Sequence, residues 1–567
     1  MKKILSLSLI VTCFAFFACS DVLELDLLDD PNSPTPETAD LESLYTGVQL
    51  AFESVLSTPQ FFTMQLSRQR AFIAGNVYET AWSPVAFDAI WRAAYSSFIP
   101  DANAVIDRAT QTNQLFHTGS AKIMQAYTYV NLVDIFGDVP LDEAGQGIDV
   151  LSPMAQSGES VYQAAIALAR EGIADLQANE AAAPSNDFMY GGNADGWIAA
   201  GNSLLMKIAV NTRDFSSFNT LVDSAMYITD AVADWQFQYG SNRDNPDSRH
   251  PLYIDSYEVD DGEYMSNWLM WALTEDKTAE DPRARAYFNR TVAEVPLDNP
   301  NRFDCIFSVL PDADMTPDHY TNCDTRMPYC VGSLSNGYYG RDHGNGNGTP
   351  PDGDIRTVYG VYPAGGKFDN EVFASVLNNG TDGALGAGIH PILTQFMMNF
   401  YRAEMAMEQG DVAIAREQLE AGVRNSISKA VGFISRDQAS LDEVFAEDLD
   451  GNRLFGQSIK DRLDTIAEPY VLEVLQRFDD ASDKMEVIGM EQLIASYGNG
   501  IEGYNMIRRI ARPTNIQPAI LTTAGTMSRS ALYPAVHVNL NQNATQKTFL
   551  DQVFWDTQPA SLGTCFN

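Results

Sequence analysis

Basic side chains and histidines are scarce in this sequence. Its 567 residues include 36 lysines and arginines against 75 aspartates and glutamates, a net charge of −39, and only 6 histidines. A chain this acidic repels nucleic acid and anionic lipid surfaces, and its longest basic cluster is Arg508-Arg509 with Arg512. The histidines do not pair at metal-binding spacing. These shortages exclude a nucleic-acid-binding protein and disfavour a histidine metal site.

Motifs of the common catalytic sites are also missing. The sequence contains no H-E-x-x-H, G-x-S-x-G, Walker A or G-x-G-x-x-G pattern. Ser426 and Lys429 fit S-x-x-K, but the companion motifs of that site are absent. We therefore predict a protein that is not an enzyme, although its abundant carboxylates leave a glycoside hydrolase as an alternative.

No cofactor is predicted, with calcium as an open alternative. Calcium prefers oxygen ligands. One stretch is rich in such side chains, though not in EF-hand order: Asp342, Asn345, Asn347, Asp352 and Asp354.

Long apolar runs are absent except at the N-terminus. A lysine pair precedes the apolar stretch 4–18, which is shorter than the ~20 residues that span a bilayer and fits the core of a secretory signal. A small residue followed by Cys19 resembles the lipidation site of bacterial lipoproteins. We predict a signal peptide over 1–18, lipidation of Cys19, and an acidic, proline-rich tether over 19–36. An ordinary cleaved signal with a chance cysteine is the alternative.

Cysteine is scarce as well, since only Cys305, Cys323, Cys330 and Cys565 follow the signal. The first three are spaced as C-x17-C-x6-C and lack the C-x2-C pair of common zinc sites. Export to an oxidising compartment favours a disulfide. We predict one disulfide among these three cysteines, with free buried thiols as the alternative, and the spacing leaves the role of Cys565 open.

Strand-like alternation is rare, whereas helical periodicity is common. After Thr35-Pro36-Glu37, a typical helix start, apolar side chains recur at three- and four-residue steps up to Leu56. Similar patterns predict helices over 87–110, 119–136, 158–178, 195–212, 216–232, 390–408, 411–429, 457–478 and 485–496. We therefore predict a single, mainly α domain over 37–567 with few short strands.

Two segments, 121–144 and 397–421, repeat one arrangement. Each has a helix with small side chains on one face, then Gly-Asp-Val, then a new helix start. Gly137 and Gly410 stand where a helix end favours a left-handed residue. Residues 205–220 form a weaker third copy. The pattern predicts a scaffold of tetratricopeptide-like helix pairs, with coincidental hairpins as the alternative.

Residues 236–390 differ from the rest because they are rich in Gly, Asn, Asp, Pro and Tyr. Only 263–275 and 283–290 have helical patterns within them. A stretch this long without regular structure is normally functional or disordered, and its aromatic residues and cysteines favour ordered loops. We predict a long loop-rich insertion packed on the helical scaffold.

Short sequence blocks in a fixed order carry a family resemblance. In chain order they are Cys19, Trp91-Arg92 with Tyr95, Ile99 to Asn103, Ala126-Tyr127, Asp134 to Pro140, Glu143-Ala144, Asp281-Pro282-Arg283 with Tyr287-Phe288, Tyr401 to Glu404, Gly410-Asp411, Glu491-Gln492, Glu502 to Tyr504, Arg508-Arg509, Leu532 to Pro534 and Asn539. With these blocks the chain resembles the SusD/RagB family of outer-membrane nutrient-binding lipoproteins, in the branch called SusD-like 2. One departure concerns packing: Leu493-Ile494 stands where the family often has a tryptophan.

The resemblance implies a tetratricopeptide-like fold with a loop-rich ligand side. It also implies a cell-surface protein of the outer membrane, anchored by lipid on Cys19, that closes as a lid over a SusC-type TonB-dependent transporter. The implied ligands are oligosaccharides or polysaccharides, bound without catalysis. Binding of other nutrients such as peptides, and a purely structural lid, are the alternatives.

A sugar site needs flat aromatic rings for the apolar sugar faces and polar groups for the hydroxyls. Relatives place recognition residues in the loop that here holds Asn76, Tyr78 and Trp82. Similar side chains recur in the insertion, at Tyr338, Tyr339, Arg341, Asp342 and His343. We predict that these eight residues bind the ligand. Scaffold packing is predicted instead for Trp91, Tyr95, Asn103, Trp197, Trp235, Trp268 and Trp271.

Overall fold

The computed structural model describes residues 39–75, 77–146, 149–259, 264–294, 316–330, 337–346, 355–376, 379–443, 456–559 and 561–566. The predicted signal peptide, the tether and several singled-out residues lie outside the described residues: Cys19, Asn76, Cys305, Asn347, Asp352 and Asp354.

Helices dominate the described chain. Its first half contains α1 (Leu41–Ser57), α2 (Gln60–Leu66), α3 (Tyr78–Ala81), α4 (Asp88–Arg92), α5 (Ile99–Gln111), α6 (Leu115–Phe136), α7 (Gly158–Ala178), α8 (Ala194–Thr212), α9 (Phe215–Ser224), α10 (Pro251–Tyr257) and α11 (Asn267–Thr274). Its second half contains α12 (Ala284–Tyr287), α13 (Asp318–Thr321), α14 (Gln395–Glu408), α15 (Val412–Gly432), α16 (Gln438–Glu443), α17 (Gly456–Asp480), α18 (Lys484–Ala495), α19 (Gly500–Ile510) and α20 (Ala535–Val538). A π-helical stretch, Ala93–Phe98, joins α4 to α5.

The strands are short. In chain order they are β1 (Val139–Pro140), β2 (Ala155–Gln156), β3 (Trp235–Gln238), β4 (Phe288–Asn289), β5 (Val358–Tyr359) and β6 (Ile389–Leu393). Antiparallel pairs form between β1 and β2, between β3 and β6, and between β4 and β5. The prediction of a mainly α fold with few short strands is confirmed.

Tightly packed helix pairs build the scaffold. The pair α6 and α7 crosses at glycines, because a Cβ added at Gly172 would lie 2.6 Å from the Gly119 carbonyl oxygen. The turns after α6 and α14 use Gly137 and Gly410, each with φ near +80°. Between α8 and α9 the turn uses Arg213, with φ of +53°. Helix pairs are present at all three places, but the turn at Gly137 leads into β1, and α7 begins only at Gly158 and not directly after the Gly-Asp-Val triplet as expected. Small residues allow the close approach of α6 and α7.

Three predicted helices have different bounds. The helix expected over 216–232 ends at Ser224, where Ala225 adopts a left-handed conformation. The segment expected to be helical from 390 begins instead with β6, whose five residues are all buried. A continuous buried run has no periodicity that separates a strand from a helix. The stretch 283–290 forms the one-turn helix α12 and then β4.

The residues of the family blocks meet in a buried polar network. Lys207 on α8 lies 3.3 Å from Asp134 on α6 and forms a short ion pair with Glu502 on α19. Arg509, also on α19, binds Glu404 on α14 at 2.6 Å. Buried charges persist only when paired and hydrogen-bonded. Lys207 and the motif residues Asp134, Glu404, Glu502 and Arg509 therefore hold four helices together.

A second buried cluster surrounds Arg283. Its guanidinium donates to Asp281 at 2.7 Å, to Glu491 at 2.9 Å and to the Ser426 hydroxyl at 2.8 Å. The S-x-x-K lysine, Lys429, is paired with Asp234 at 2.6 Å. Both residues of that motif therefore serve the scaffold.

A disulfide joins Cys323 to Cys565 across 242 residues of sequence. The predicted pairing within the Cys305–Cys330 group is wrong for Cys323, because tertiary contacts bring the C-terminal segment to α13. Cys330 is disulfide-bonded as well. The Cys323–Cys565 disulfide therefore ties the insertion to the C-terminal segment.

Most tryptophans lie in the core, as predicted for Trp91, Trp197, Trp235, Trp268 and Trp271. Tyr95 is half-buried and its hydroxyl donates to the Pro140 carbonyl at 2.7 Å. Asn103 accepts a hydrogen bond from Gln125 at 2.8 Å. These contacts agree with the scaffold role predicted for that block.

Candidate functional site

Trp82 lies inside the aromatic core, with only 2% of its surface exposed. One ring face is stacked on Tyr78, with the two planes 3° apart and their centroids 5.3 Å apart. Phe72 and Phe62 lie at centroid distances of 4.6 and 4.8 Å. A stacking platform needs an accessible face, and Trp82 has none in this structure.

Tyr78 and His343 connect the two predicted groups of binding residues. The Tyr78 hydroxyl and His343 Nε2 share a hydrogen bond of 2.7 Å. Burial lowers the pKa of His343 well below its usual range, and the positive charge of Arg68 lowers it further. The imidazole is therefore neutral and belongs to the interior.

Asp342 is also fully buried and fully engaged. Its carboxylate accepts hydrogen bonds from the Asn267 amide at 2.7 Å, the Gln517 amide at 3.1 Å and the Cys330 backbone at 2.9 Å. Arg341 lies 4.6 Å from the centre of the Tyr264 ring. These contacts fasten the insertion to the scaffold.

The expectation that the predicted residues form an open surface is not met for most of them. The buried members are Tyr78, Trp82, Tyr338, Tyr339, Arg341, Asp342 and His343. Most of their polar atoms and ring faces contact neighbouring groups, whereas His343 Nδ1 has no hydrogen-bond partner among the described residues. Contact of these residues with a ligand stays a prediction. The calcium alternative stays untested, because Asn347, Asp352 and Asp354 lie outside the described residues. The described residues contain no group of three or more acidic, histidine or cysteine side chains able to hold a metal ion.

Tyr338 is the predicted residue that reaches an open cavity. The cavity has a volume of about 620 Å³ and is lined by Thr274, Thr278, Glu280, Arg290, Ala293, Tyr338, Glu371 and Phe373. We call it the Arg290 pocket. It lies within the loop-rich insertion, beside the C-terminal end of α11, and its volume is in the range of small-molecule sites.

Arg290 is clamped at the centre of the pocket between two aromatic rings. Its guanidinium carbon lies 4.8 Å from the centre of the Tyr338 ring and 5.1 Å from that of Phe373. Its Nε donates to Asp369 at 2.5 Å, and only 7% of the side chain is exposed. Burial alone would lower the Arg290 pKa, but Tyr338 and Asp369 outweigh burial and the pKa is raised. The charged guanidinium of Arg290 therefore lies between the two rings and fixes their orientation.

The rim segment 369–373 is held in an uncommon backbone conformation. Glu371 and Phe373 have φ of +64° and +55°, values that non-glycine residues rarely adopt. Asp369 accepts a hydrogen bond from the Glu371 backbone at 3.1 Å, and Asn370 donates to the Ser440 carbonyl at 2.9 Å. Such conformations cost about 1–3 kcal/mol and often mark functional sites. Here they place the Glu371 carboxylate and the Phe373 ring at the cavity mouth.

Hydroxyls and a carboxylate complete the lining. Thr274 donates to the Met270 carbonyl at 2.7 Å and keeps its oxygen as an acceptor. The Thr278 backbone donates to Glu473 at 3.1 Å, which fixes the loop after α11. Glu280 is exposed at the end of this loop. Rings, hydroxyls and carboxylates are thus combined in one concave site, as polyhydroxylated ligands require.

Two other cavities lie outside the insertion. A groove of about 860 Å³ between α7, α8 and α9 is lined mainly by polar side chains together with aliphatic ones, and of its aromatic residues only Phe554 is substantially exposed. A cavity of about 350 Å³ lies beside Trp91. The faces of Trp91 are covered by His537 and Tyr95, at centroid distances of 4.3 and 4.6 Å.

Sequence reasoning missed most of the Arg290 pocket. Glu280, Arg290, Glu371 and Phe373 were not singled out, because three segments far apart in sequence form the cavity. The available signal was indirect: Glu280 directly precedes the family block Asp281-Pro282-Arg283.

Within the part of the chain that the structure describes, no helix has the length and apolar character needed to cross a membrane.

Comparison with known proteins identifies similar families and structures. Residues 50–302 match the family model SusD-like_2, described as "Starch-binding associating with outer membrane". The structure is similar to a SusD/RagB family protein from Bacteroides thetaiotaomicron, with 18% identity, a TM-score of 0.59 and coverage of 92% of this chain and 100% of that chain. A SusD homolog from Bacteroides uniformis has 16% identity and a TM-score of 0.60, with the same coverage. A chitin-binding SusD homolog from Flavobacterium johnsoniae has 15% identity and a TM-score of 0.59, over 91% of this chain and 100% of that chain. No curated protein matches the sequence.

The resemblance predicted from the sequence is confirmed: the chain matches the SusD-like_2 family model over residues 50–302 and has the fold of SusD/RagB family proteins.

Proposed function

We propose that this chain is a glycan-binding lipoprotein of the outer membrane, exposed on the cell surface and anchored through lipid on Cys19. It captures oligosaccharides and acts as a lid that delivers them to a SusC-type TonB-dependent transporter. The observation that carries the proposal is the Arg290 pocket, an open cavity with clamped aromatic rings on the loop-rich side of a SusD-type scaffold.

The chemistry of the pocket supports a sugar ligand. The apolar faces of sugar rings pack on aromatic rings, and here Arg290 holds Tyr338 and Phe373 in place before a ligand arrives. Carboxylates accept hydrogen bonds from hydroxyls, and Glu280 and Glu371 are exposed. Preformed rings cost little entropy on binding. The match to a family described as starch-binding, and the likeness to a chitin-binding relative, agree with this ligand class.

Binding can be tested with the mature protein made soluble by omitting Cys19, residues 20–567. Calorimetry against starch, fructan, β-glucan, mannan, chitin and algal oligosaccharides should identify at least one ligand. Phe373→Ala should weaken that binding roughly fivefold, since it removes a stacking face worth about 1 kcal/mol. Phe188→Ala, at a ring that is 40% exposed but outside the pocket, is the matched control and should bind normally.

Several results would contradict the proposal. The folded protein could bind no glycan, or both phenylalanine variants could bind as tightly as the parent protein. Release of reducing ends by the purified protein, abolished by Glu280→Gln, would indicate a glycoside hydrolase. Binding of peptides in place of glycans would favour another nutrient class. Failure to co-purify a transporter barrel with the lipid-anchored protein would remove the delivery step.

A further inference from the structure

We propose that the Arg290 pocket selects glycans without acid groups, namely neutral sugars and amino sugars, and that Glu280 sets this selectivity. This inference rests on the proposed function, because it names the class of ligand for that site. It follows from how the charges around the cavity are paired.

The positive charge of the lining is already used. Arg290 is the cation among the described residues that line the cavity. Its Nε is bound to Asp369 at 2.5 Å and its faces are covered by two rings. An acidic sugar is normally held by a free, bidentate arginine or by lysine. Arg290 cannot turn to a carboxylate or sulfate without leaving Asp369 and both rings.

The lysine next to the lining residue Thr278 in sequence also has its charge paired. Lys277, between the lining residues Thr278 and Thr274 in sequence, is only 3% exposed. Its ammonium group is paired with Glu491 at 3.0 Å and with Asp276 at 3.3 Å. It therefore belongs to the buried cluster around Arg283.

The lining carries two exposed carboxylates, those of Glu280 and Glu371. Among the described residues, no hydrogen-bond or ion-pair partner contacts the Glu280 carboxylate, which is exposed. Glu371 is 45% exposed, and its contacts with Arg290 and Arg285 are long, at 3.7 and 3.8 Å. Carboxylates act only as acceptors. The pocket therefore offers acceptors to hydroxyl and ammonium donors, and repels anions.

The charge of the whole molecule acts in the same direction. A net charge of −39 lowers the local concentration of anionic ligands near a cleft and raises that of cationic ones. This long-range part is screened by salt, whereas a direct contact with Glu280 is screened less.

The test is a panel of oligosaccharides sorted by charge. Binding to the mature protein is measured by calorimetry at low and at high ionic strength, in about 20 mM and about 500 mM NaCl. Neutral members are starch, mannan, β-glucan and chitin oligosaccharides, chitosan oligosaccharides carry amines, and pectin, alginate and sulfated algal fragments carry acid groups. We expect ligands only among the neutral and amine-bearing members. A tightly bound acidic oligosaccharide would overturn this inference and leave the glycan-binding proposal standing. No binding by any member would overturn both.

Glu280→Gln tests the residue, with Glu180→Gln as the matched control because Glu180 is an exposed carboxylate outside the pocket. The measured quantity is the affinity for an amine-bearing ligand divided by the affinity for its neutral counterpart. Glu280→Gln should lower this ratio roughly tenfold, because it removes the negative charge that attracts the amine. The effect should persist in high salt. Glu180→Gln should leave the ratio unchanged. An unchanged ratio in Glu280→Gln, or an equal change in the control, would overturn the role of Glu280.

Discussion

At the scale of single residues, burial decides what each aromatic side chain can do. Trp82 and Phe373 are both aromatic residues near the ligand side. Trp82 is packed on Tyr78 and Phe72, whereas Phe373 is half-buried at a cavity mouth. Residue type and loop position gave Trp82 priority in the sequence, but neither reports which ring face is covered. The clamped pair Tyr338 and Phe373 could not be predicted, because the cation between them is distant in sequence from both.

Trp82→Ala should therefore act on stability. Removing a large buried aromatic side chain typically lowers the free energy of unfolding by about 3–5 kcal/mol. Urea unfolding of the variant measures this loss, and Trp82→Phe should recover part of it. If Trp82→Ala unfolded like the parent protein and lost glycan binding, Trp82 would be a ligand platform after all.

At the scale of helices, local turn chemistry was predictable and tertiary pairing was not. The triplets at Gly137 and Gly410 predict where α6 and α14 end, whereas the sequence does not predict the strand β1 that follows Gly137. By contrast, the sequence predicts a helix where β6 lies. The buried run of β6 forms a strand because it pairs with β3, which is distant in sequence. The Arg290 pocket depends on the same kind of long-range pairing and was mostly missed.

The helix crossing between α6 and α7 gives a sharp test. Gly172→Ala should destabilise the protein by about 1–3 kcal/mol, because the new Cβ would lie 2.6 Å from the Gly119 carbonyl oxygen. In Gly47→Ala, on the exposed side of α1, the Cβ meets nothing within 4 Å, so this control should be stabilised by about 0.5–1 kcal/mol through helix propensity. Thermal or urea unfolding measures both. Equal effects of the two substitutions would contradict close packing at this crossing.

At the scale of the whole molecule, buried neutral histidines couple the fold to pH. Burial lowers the pKa of His390 to about 3, and burial together with His390 lowers that of His250 to about 3. Burial also lowers the pKa of His537 to about 4. Unfolded histidines titrate near 6.5, so the unfolded chain binds more protons below that pH.

The contribution of these histidines to stability should accordingly be complete above about pH 6.5 and be lost as the pH falls from 6.5 towards 3. Each of these histidines contributes a slope of about 1 kcal/mol per pH unit in that window. Urea unfolding at a series of pH values measures the slope, and His390→Gln should make it shallower. A parent protein equally stable at both ends of the window, or a variant with the parent slope, would contradict this account.

The buried network of Lys207, Asp134, Glu502, Glu404 and Arg509 has a consequence for divergence. Residues of the blocks that carry the family resemblance form ion pairs between the helices of the scaffold, and none of them lines the Arg290 pocket. Substitutions in the pocket therefore leave these blocks intact. Conversely, a chain can keep every block while the residues that line its pocket change. Two such proteins can share one fold and bind different ligands, so the ligand has to be inferred from the residues that line the cavity.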